Sequence, residues 1–420
     1  MGCGGSTKKD AAKIKAAEQE LAQKQEKERQ EKAQREEEER KRREKEEEQR
    51  KKDEEEAATK IQAMYKGGAV RESLKEVINE GSTTTEGRMV QRLRSAKTTE
   101  QKKQELWNIF EMLELLDPNA RAERVRDNFV EANLVETCVE CIEQLDVQDI
   151  ENVRTVSWAI NVLVQLTMND STVPILLKCE SIEASCSALR KIRQELQYNA
   201  ETWAVVSAAF RLLFAVVADD TECITRWTES GALAYALDVA ETELRGGGVP
   251  DEGVIWSLAA LRSIARDKAF GRDPEFGERG LRIGLGFVHK SARDAIRGQK
   301  KDELLAEHAL ALLANLQQGE SRNTERLHAI DQQVWRAIVD LVGKLEEDPD
   351  VVYQGLFALG IGAANAEELR IAILTAGARD LAENICQKEV AEYNEKVMLF
   401  AKSLFTILNK AAMQLETALQ

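Results

Sequence analysis

From about residue 100 to the C-terminus the sequence repeats itself, and that repetition limits the chain to few architectures. One apolar run recurs around Ile160, Phe210, Leu258, Leu310, Phe357 and Phe400, at spacings of 50, 48, 52, 47 and 43 residues. SWAINVLVQLTMND, SAAFRLLFAVVADD, IWSLAALRSIARDK and EHALALLANLQQGE are four copies of it. Between copies lies a shorter element that opens on a turn. The turn is clearest at Glu229-Ser230-Gly231-Ala232-Leu233, Glu278-Arg279-Gly280-Leu281 and Thr375-Ala376-Gly377-Ala378, with Asn133 and Ser181 filling the glycine position in two earlier copies. Glycine there lets one helix stop and the next leave at a sharp angle. A unit of this size cannot bury its apolar face alone, so neighbours must stack and share a core. Only five prolines interrupt the whole chain, as long stretches of helix require.

The G-A-x-x-x-L turn and the run Ala309-Leu310-Ala311-Leu312-Leu313-Ala314-Asn315-Leu316 resemble armadillo repeats. The resemblance covers residues 100–420 in about six units. It implies an all-α fold, an armadillo-like α-solenoid, and a surface that binds extended peptides or helices of another protein. The long period calls for long loops, of which Arg245-Gly246-Gly247-Gly248-Val249-Pro250 is the clearest. Trp158, Trp203, Trp256 and Trp335 recur at repeat positions and are expected mostly in the core, with one free to face a binding groove. Trp158 and Asn161 are one residue short of the W-x-x-x-N spacing of nuclear-cargo armadillo proteins, so that function is not implied.

No catalytic constellation stands out. The glycine run at 246–248 lacks the G-K-S/T ending of a phosphate loop, and Gly284-Leu285-Gly286 has no third glycine at dinucleotide-binding spacing. His289, His308 and His328 are scattered. Cys138 and Cys141 form a C-x-x-C without a second pair or a histidine cluster, so buried helix thiols explain them better than zinc. The reading is a non-enzyme with no cofactor and no metal.

Charge separates the chain into two parts. Residues 1–100 hold 25 Lys/Arg against 23 Asp/Glu, a net of +2. Subtraction from the totals of 59 and 74 leaves 34 against 51 for residues 101–420, a net of −17. So acidic a body repels a phosphate backbone, which excludes nucleic acid as an expected partner. Residues 10–56 are nearly all Glu, Lys, Arg, Gln and Ala, strong helix formers without Pro or Gly. Ten Glu residues stand four positions before a Lys or Arg, from Glu20–Lys24 to Glu48–Lys52, each pair adding about 0.2–0.5 kcal/mol to an isolated helix. Ile14 and Leu21 are the only large apolar residues before Ile61, too few for a coiled-coil seam. The stretch therefore reads as a long charged single-helix stalk.

That helix runs into residues 57–78, where Ile61, Gln62, Lys66, Gly67, Arg71 and Leu74 fall on the pattern I-Q-x-x-x-R/K-G-x-x-x-R/K-x-x-apolar. The segment resembles the IQ motif, which implies capture by calmodulin or a calmodulin-like EF-hand protein. Ile61, Met64 and Tyr65 form an apolar stripe at helical spacing for an EF-hand lobe, and Lys66 and Arg71 offer cations to its acidic surface. Residues 79–99, with Gly81-Ser82-Thr83-Thr84-Thr85-Glu86-Gly87, read as a linker.

Residues 1–9 carry an acylation signature. Loss of Met1 exposes Gly2 in G-x-x-x-S, an N-myristoylation acceptor, and Cys3 beside it is placed for a palmitate. One myristate binds membrane only marginally, so the second signal matters. No apolar run approaches the ~20 residues of a membrane-spanning helix. The Met-Gly-Cys start resembles those of flagellar membrane proteins, which makes the cytoplasmic face of a plasma, flagellar or ciliary membrane the expected address. Together the modules describe a membrane-tethered scaffold with a calmodulin-type site and an unidentified protein cargo on the solenoid. The alternative is a structural component of an axonemal assembly that holds a constitutive EF-hand light chain.

Overall fold

The computed structural model describes residues 84–116, 120–195, 198–216, 221–296, 303–388 and 393–419. The expected anchor (1–9), stalk (10–56) and IQ helix (57–78) lie outside the described residues. The chain divides into Met1–Ser82 and Thr83–Gln420, and the second unit is an armadillo-like α-solenoid. Among the described residues it contains helices and no strand.

A hairpin of α1 (Thr85–Ser95) and α2 (Thr99–Glu114) precedes six units of three helices each. The first is α3 (Ala120–Glu131), α4 (Leu134–Glu143) and α5 (Ile150–Leu166); the second is α6 (Val173–Lys178), α7 (Ser181–Glu195) and α8 (Ala200–Val216). The third is α9 (Thr221–Glu229), α10 (Ala232–Leu244) and α11 (Asp251–Ile264); the fourth is α12 (Lys268–Arg272), α13 (Pro274–Ile296) and α14 (Glu303–Gly319). The fifth is α15 (Arg322–Ile330), α16 (Val334–Lys344) and α17 (Pro349–Asn365); the sixth is α18 (Glu367–Thr375), α19 (Ala378–Gln387) and α20 (Glu395–Leu419). The last helices of the units stack in order, α2 on α5, α8, α11, α14, α17 and α20, and the middle helices form a second row beside them.

The apolar runs of the sequence are those stacked last helices. Ile160, Phe210, Leu258 and Leu310 are fully buried between the two rows, whereas Phe357 and Phe400 are half-buried at the solvent side of the stack. Among the described residues, five of the last helices begin at a side-chain cap. Thr98 accepts from Gln101 N, Asp149 from Asn152 N, Asn199 from Thr202 N, Asp348 from Val351 N and Asn394 from Val397 N. A cap of this kind adds ~1 kcal/mol and fixes where each helix begins. Asn199 N donates in return to Thr202 Oγ1, closing a reciprocal box.

Residues 79–99 are not all linker. Thr84 Oγ1 accepts from Gly87 N and starts α1, whose Met89, Val90 and Leu93 are buried against the hairpin and the first unit. The Gly/Ser/Thr cluster concealed the cap, and the described solenoid reaches back to Thr84, ahead of the expected residue 100.

Two turn assignments also shift. The left-handed residues that end the first helix of a unit are Asn133 (φ 61°), Glu180 (φ 59°), Gly231 (φ 81°) and Gly377 (φ 89°). Ser181, expected in that position, is instead the first residue of α7. Gly280 lies inside α13, where an added Cβ would stand 2.9 Å from Leu316 Cδ1. That glycine brings α13 close to α14; the fourth unit turns at Asp273, whose Oδ1 accepts from Phe276 N.

Neighbouring units are also joined at their turns. Arg94 Nη2 donates to Asn133 O at 3.3 Å, Arg190 Nη2 to Ser230 O at 3.1 Å, and Arg336 Nη1 to Ala376 O at 3.5 Å. Arg279 binds Asp238 and Glu241, and His289 Nε2 lies 2.6 Å from Asp331 Oδ2. Each bond joins neighbouring units, or in the case of Arg94 the hairpin to the first unit, between residues about one repeat apart in sequence.

Candidate protein-interaction surface

The described candidate site is an aromatic row along the stacked last helices. Trp107 on α2 is 39% exposed and meets Trp158 on α5 edge to face, with centroids 4.6 Å apart, while Phe110 stands 5.1 Å from the same ring. Tyr198 stacks on Trp203 at 5.1 Å ahead of and within α8. Phe214 of α8, Trp256 of α11 and His308 of α14 then meet at 5.9–6.4 Å. Tyr353, Phe357 and Phe400 close the row on α17 and α20 at 5.3–6.1 Å. Of the four tryptophans singled out from the sequence, Trp335 alone is a fully buried core residue; the other three are half-buried members of this row. Aromatic rings held this way keep a large apolar area at little entropic cost to a partner.

A ladder of charges crosses the first three last helices. Glu100 and Glu151 both hold Lys103, at 2.7 and 2.5 Å, and Arg154 bridges Glu151 at 2.6 Å to Glu201 at 2.8 Å. The Lys103 ammonium holds the Glu151 carboxyl down to about 2, with Arg154 adding to the effect. The Arg154 guanidinium likewise keeps Glu201 below the usual carboxylate range. The ladder sums to one negative charge, from three carboxylates and two cations. Beside it a cavity of about 290 Å³ opens between α5 and α8, lined by Arg154, Ser157, Trp158, Ala200, Glu201 and Ala204. It offers one indole face, small alanine walls and a carboxylate at the rim, a shape for one side chain of a bound segment.

Further along, Arg211 lies over the Trp256 ring at 5.1 Å and Arg262 over Phe214 at 5.2 Å. Arg262 also pairs with Glu307. His308 is 4% exposed, and neither ring nitrogen has a hydrogen-bond partner among the described residues. Burial first and the Arg262 charge second hold its pKa down to about 3. His289, His308 and His328 sit in different surroundings: on Asp331, among the aromatic rings, and stacked on Trp335. Cys138 and Cys141 are buried in α4, where desolvation pushes both thiols up. No group of three His, Cys, Asp or Glu able to hold a metal occurs among the described residues. No described helix is long and apolar enough to cross a membrane.

The residues expected to be acylated (Gly2, Cys3) or to bind calmodulin (Ile61, Gln62, Met64, Tyr65, Lys66, Gly67, Arg71, Leu74) lie outside the described residues. The sequence reading did not single out Trp107, Tyr353, Phe357 or the charge ladder as a site. Their signal was present as opposite charges one repeat apart, Lys103 to Glu151 at 48 residues and Arg154 to Glu201 at 47.

No protein-family model matches the chain, and no curated protein matches it. Among solved structures it is similar to a designed armadillo repeat protein, YIII(Dq)4CqI, at 15% identity over 77% of this chain and 99% of that one, with a TM-score of 0.39. Computationally designed armadillo repeat proteins for modular peptide recognition are similar at 18% identity, covering 65% of this chain and 99% of theirs, with a TM-score of 0.47. A designed armadillo repeat protein in complex with the peptide (KR)4 is similar at 12% identity over 77% and 100%, with a TM-score of 0.39. The three-helix units and their two rows rest on the chain's own geometry rather than on these likenesses.

Proposed function

We propose that this chain is a membrane-tethered protein–protein scaffold. Its solenoid holds an extended or helical segment of a partner along the aromatic row. The carrying observation is that row itself, from Trp107 to Phe400, kept partly open to solvent with a charged notch at Trp158. Trp107 and Tyr198 stand exposed and most of the other rings are half-buried at the surface of an otherwise well-buried stack, which is the pattern of a recognition surface. The N-terminal segment, residues 1–78, supplies reach and control. Gly2 and Cys3 carry the acyl groups, the charged stretch 10–56 spaces the solenoid from the bilayer, and a calmodulin-like protein grips residues 57–74 through Ile61, Met64, Tyr65 and Leu74.

Three readouts test the parts separately. Gly2→Ala moves the protein from the membrane to the soluble fraction; a variant that stays on membrane overturns the tether. Capture on calmodulin, with calcium and with chelator, is lost in Ile61→Asp; capture that survives overturns the IQ assignment. Paired Trp107→Ala and Trp158→Ala changes weaken a partner selected from a peptide library on the isolated full-length chain by roughly a hundredfold, as loss of a two-ring anchor does. Affinity that is unchanged moves the binding surface elsewhere.

A further inference from the structure

On the opposite, middle-helix row, a cavity of about 220 Å³ lies between α7 and the turn that joins α9 to α10. Arg190 and Arg193 stand on one wall with Cys186, the two arginines one turn of helix apart, and Ser230, Gly231 and Tyr235 form the other. Arg190 donates to Ser230 O but has no carboxylate partner among the described residues. Arg193 pairs with Asp238, which Arg279 also binds at 2.9 Å while Glu241 balances Arg279 at 2.8 Å, so the uncompensated charge at the cavity is that of Arg190. Glu183, the remaining acid on this side of α7, is engaged by Arg226. The cavity therefore keeps net positive charge inside a body that is strongly acidic overall.

The other polar groups fit the same sign. Gly231 brings no side chain to cap α10, and of the first-turn donors Ala232 N is met by Ser230 Oγ at 3.3 Å. Tyr235, which lines the cavity, is 4% exposed, and its hydroxyl stands beside the Tyr198 phenol. Burial, and then the nearby Tyr198 phenol, push its pKa far up, so it stays a neutral donor. Burial pushes the Cys186 thiol up to about 12, so no thiolate adds a competing negative charge. The corresponding joint at Gly377 shows what an unavailable site looks like. There Arg336 reaches Ala376 O in the same way, but its guanidinium pairs with Asp340 at 2.9 Å, and Asp380 lines the cavity.

We propose that the cavity between α7 and α10 is a binding site for a phosphate-type oxyanion, with Arg190 and Arg193 as its principal ligands. Two guanidinium groups offer planar, paired donors that match tetrahedral oxyanions and bind them more strongly than neutral donors do. The volume admits a phosphate carrying a substituent, so the same chemistry serves free phosphate or the phosphate of a phosphorylated side chain.

Calorimetric titration of the full chain at constant ionic strength, with chloride as the balancing anion, tests the site. The probes are inorganic phosphate and O-phosphoserine. Saturable binding of one equivalent is expected, weakened about tenfold or more by Arg190→Gln or by Arg193→Gln, both exposed positions whose change leaves the core intact. Arg282→Gln, remote on α13 and paired with Glu278, leaves affinity unchanged. Tighter binding of O-phosphoserine assigns the site to a phosphorylated side chain; tighter binding of inorganic phosphate assigns it to the free ion. No saturable binding of either probe, or equal affinity in wild type and Arg190→Gln, overturns the proposal.

Discussion

His308 is a base kept neutral by where it sits. Its folded pKa is depressed from 6.5 to about 3, mainly by burial, with Arg262 and Glu307 the charged groups facing it. The unfolded chain thus binds the extra proton first as pH falls, so this contribution to stability is whole above about 6.5 and is lost progressively towards about 3. The total at stake is on the order of a few kcal/mol. Thermal melts of the wild type are expected to fall steeply between these limits. His308→Phe, which keeps a ring among Phe214 and Trp256, should flatten that slope; an unchanged slope would place the titration elsewhere. Glu180 is the second residue with a direct consequence. Its left-handed backbone costs a side chain roughly 1–2 kcal/mol that glycine does not bear. Denaturant melts should show Glu180→Gly stabilising by about 1 kcal/mol and Gly231→Ala destabilising by a similar amount.

At the level of elements, what could be read from sequence depended on whether a signal was local. The apolar runs at Ile160, Phe210, Leu258 and Leu310 are helical and buried because periodicity and burial are the same pattern seen twice. Gly231 and Gly377 announced their turns because each needs a positive φ. Gly280 misled because glycine also serves close packing, and nothing in one sequence distinguishes the two uses. Helix α1 was hidden inside a polar cluster whose Thr84 is a cap rather than a linker residue. The aromatic row escaped because it is assembled across α2, α5, α8, α11, α14, α17 and α20, and which ring faces solvent depends on how neighbouring helices pack. Close packing carries its own test. A Cβ on Gly355 of α17 would lie 2.1 Å from Val342 Cγ2, so Gly355→Val should lower stability by about 1–3 kcal/mol through overpacking. An unchanged denaturation midpoint would mean that α16 and α17 separate more freely than their contact implies.

For the whole molecule, each unit touches mainly the units before and after it, so stability accumulates by neighbour terms. Removal of residues 367–420 deletes the sixth unit and bares the Tyr353 and Phe357 face of α17. The shortened chain is expected to keep its helical circular dichroism per residue while melting at a lower temperature. Complete loss of helix would instead mean that the sixth unit nucleates the rest. The joints from Arg94 to Asn133, Arg190 to Ser230 and Arg336 to Ala376 give the same architecture a mechanical character. Pulled from its two ends, the solenoid resists as links in series, and the weakest joint yields first. The left-handed turn residues lie 47 residues apart from Asn133 to Glu180 and 51 from Glu180 to Gly231. Each rupture therefore releases about 50 residues of slack, roughly 170 Å at ~3.4 Å per residue, and the force trace should rise and drop in a sawtooth of that spacing. A molecule anchored at one end and loaded at the other would work as a tension-limiting spring.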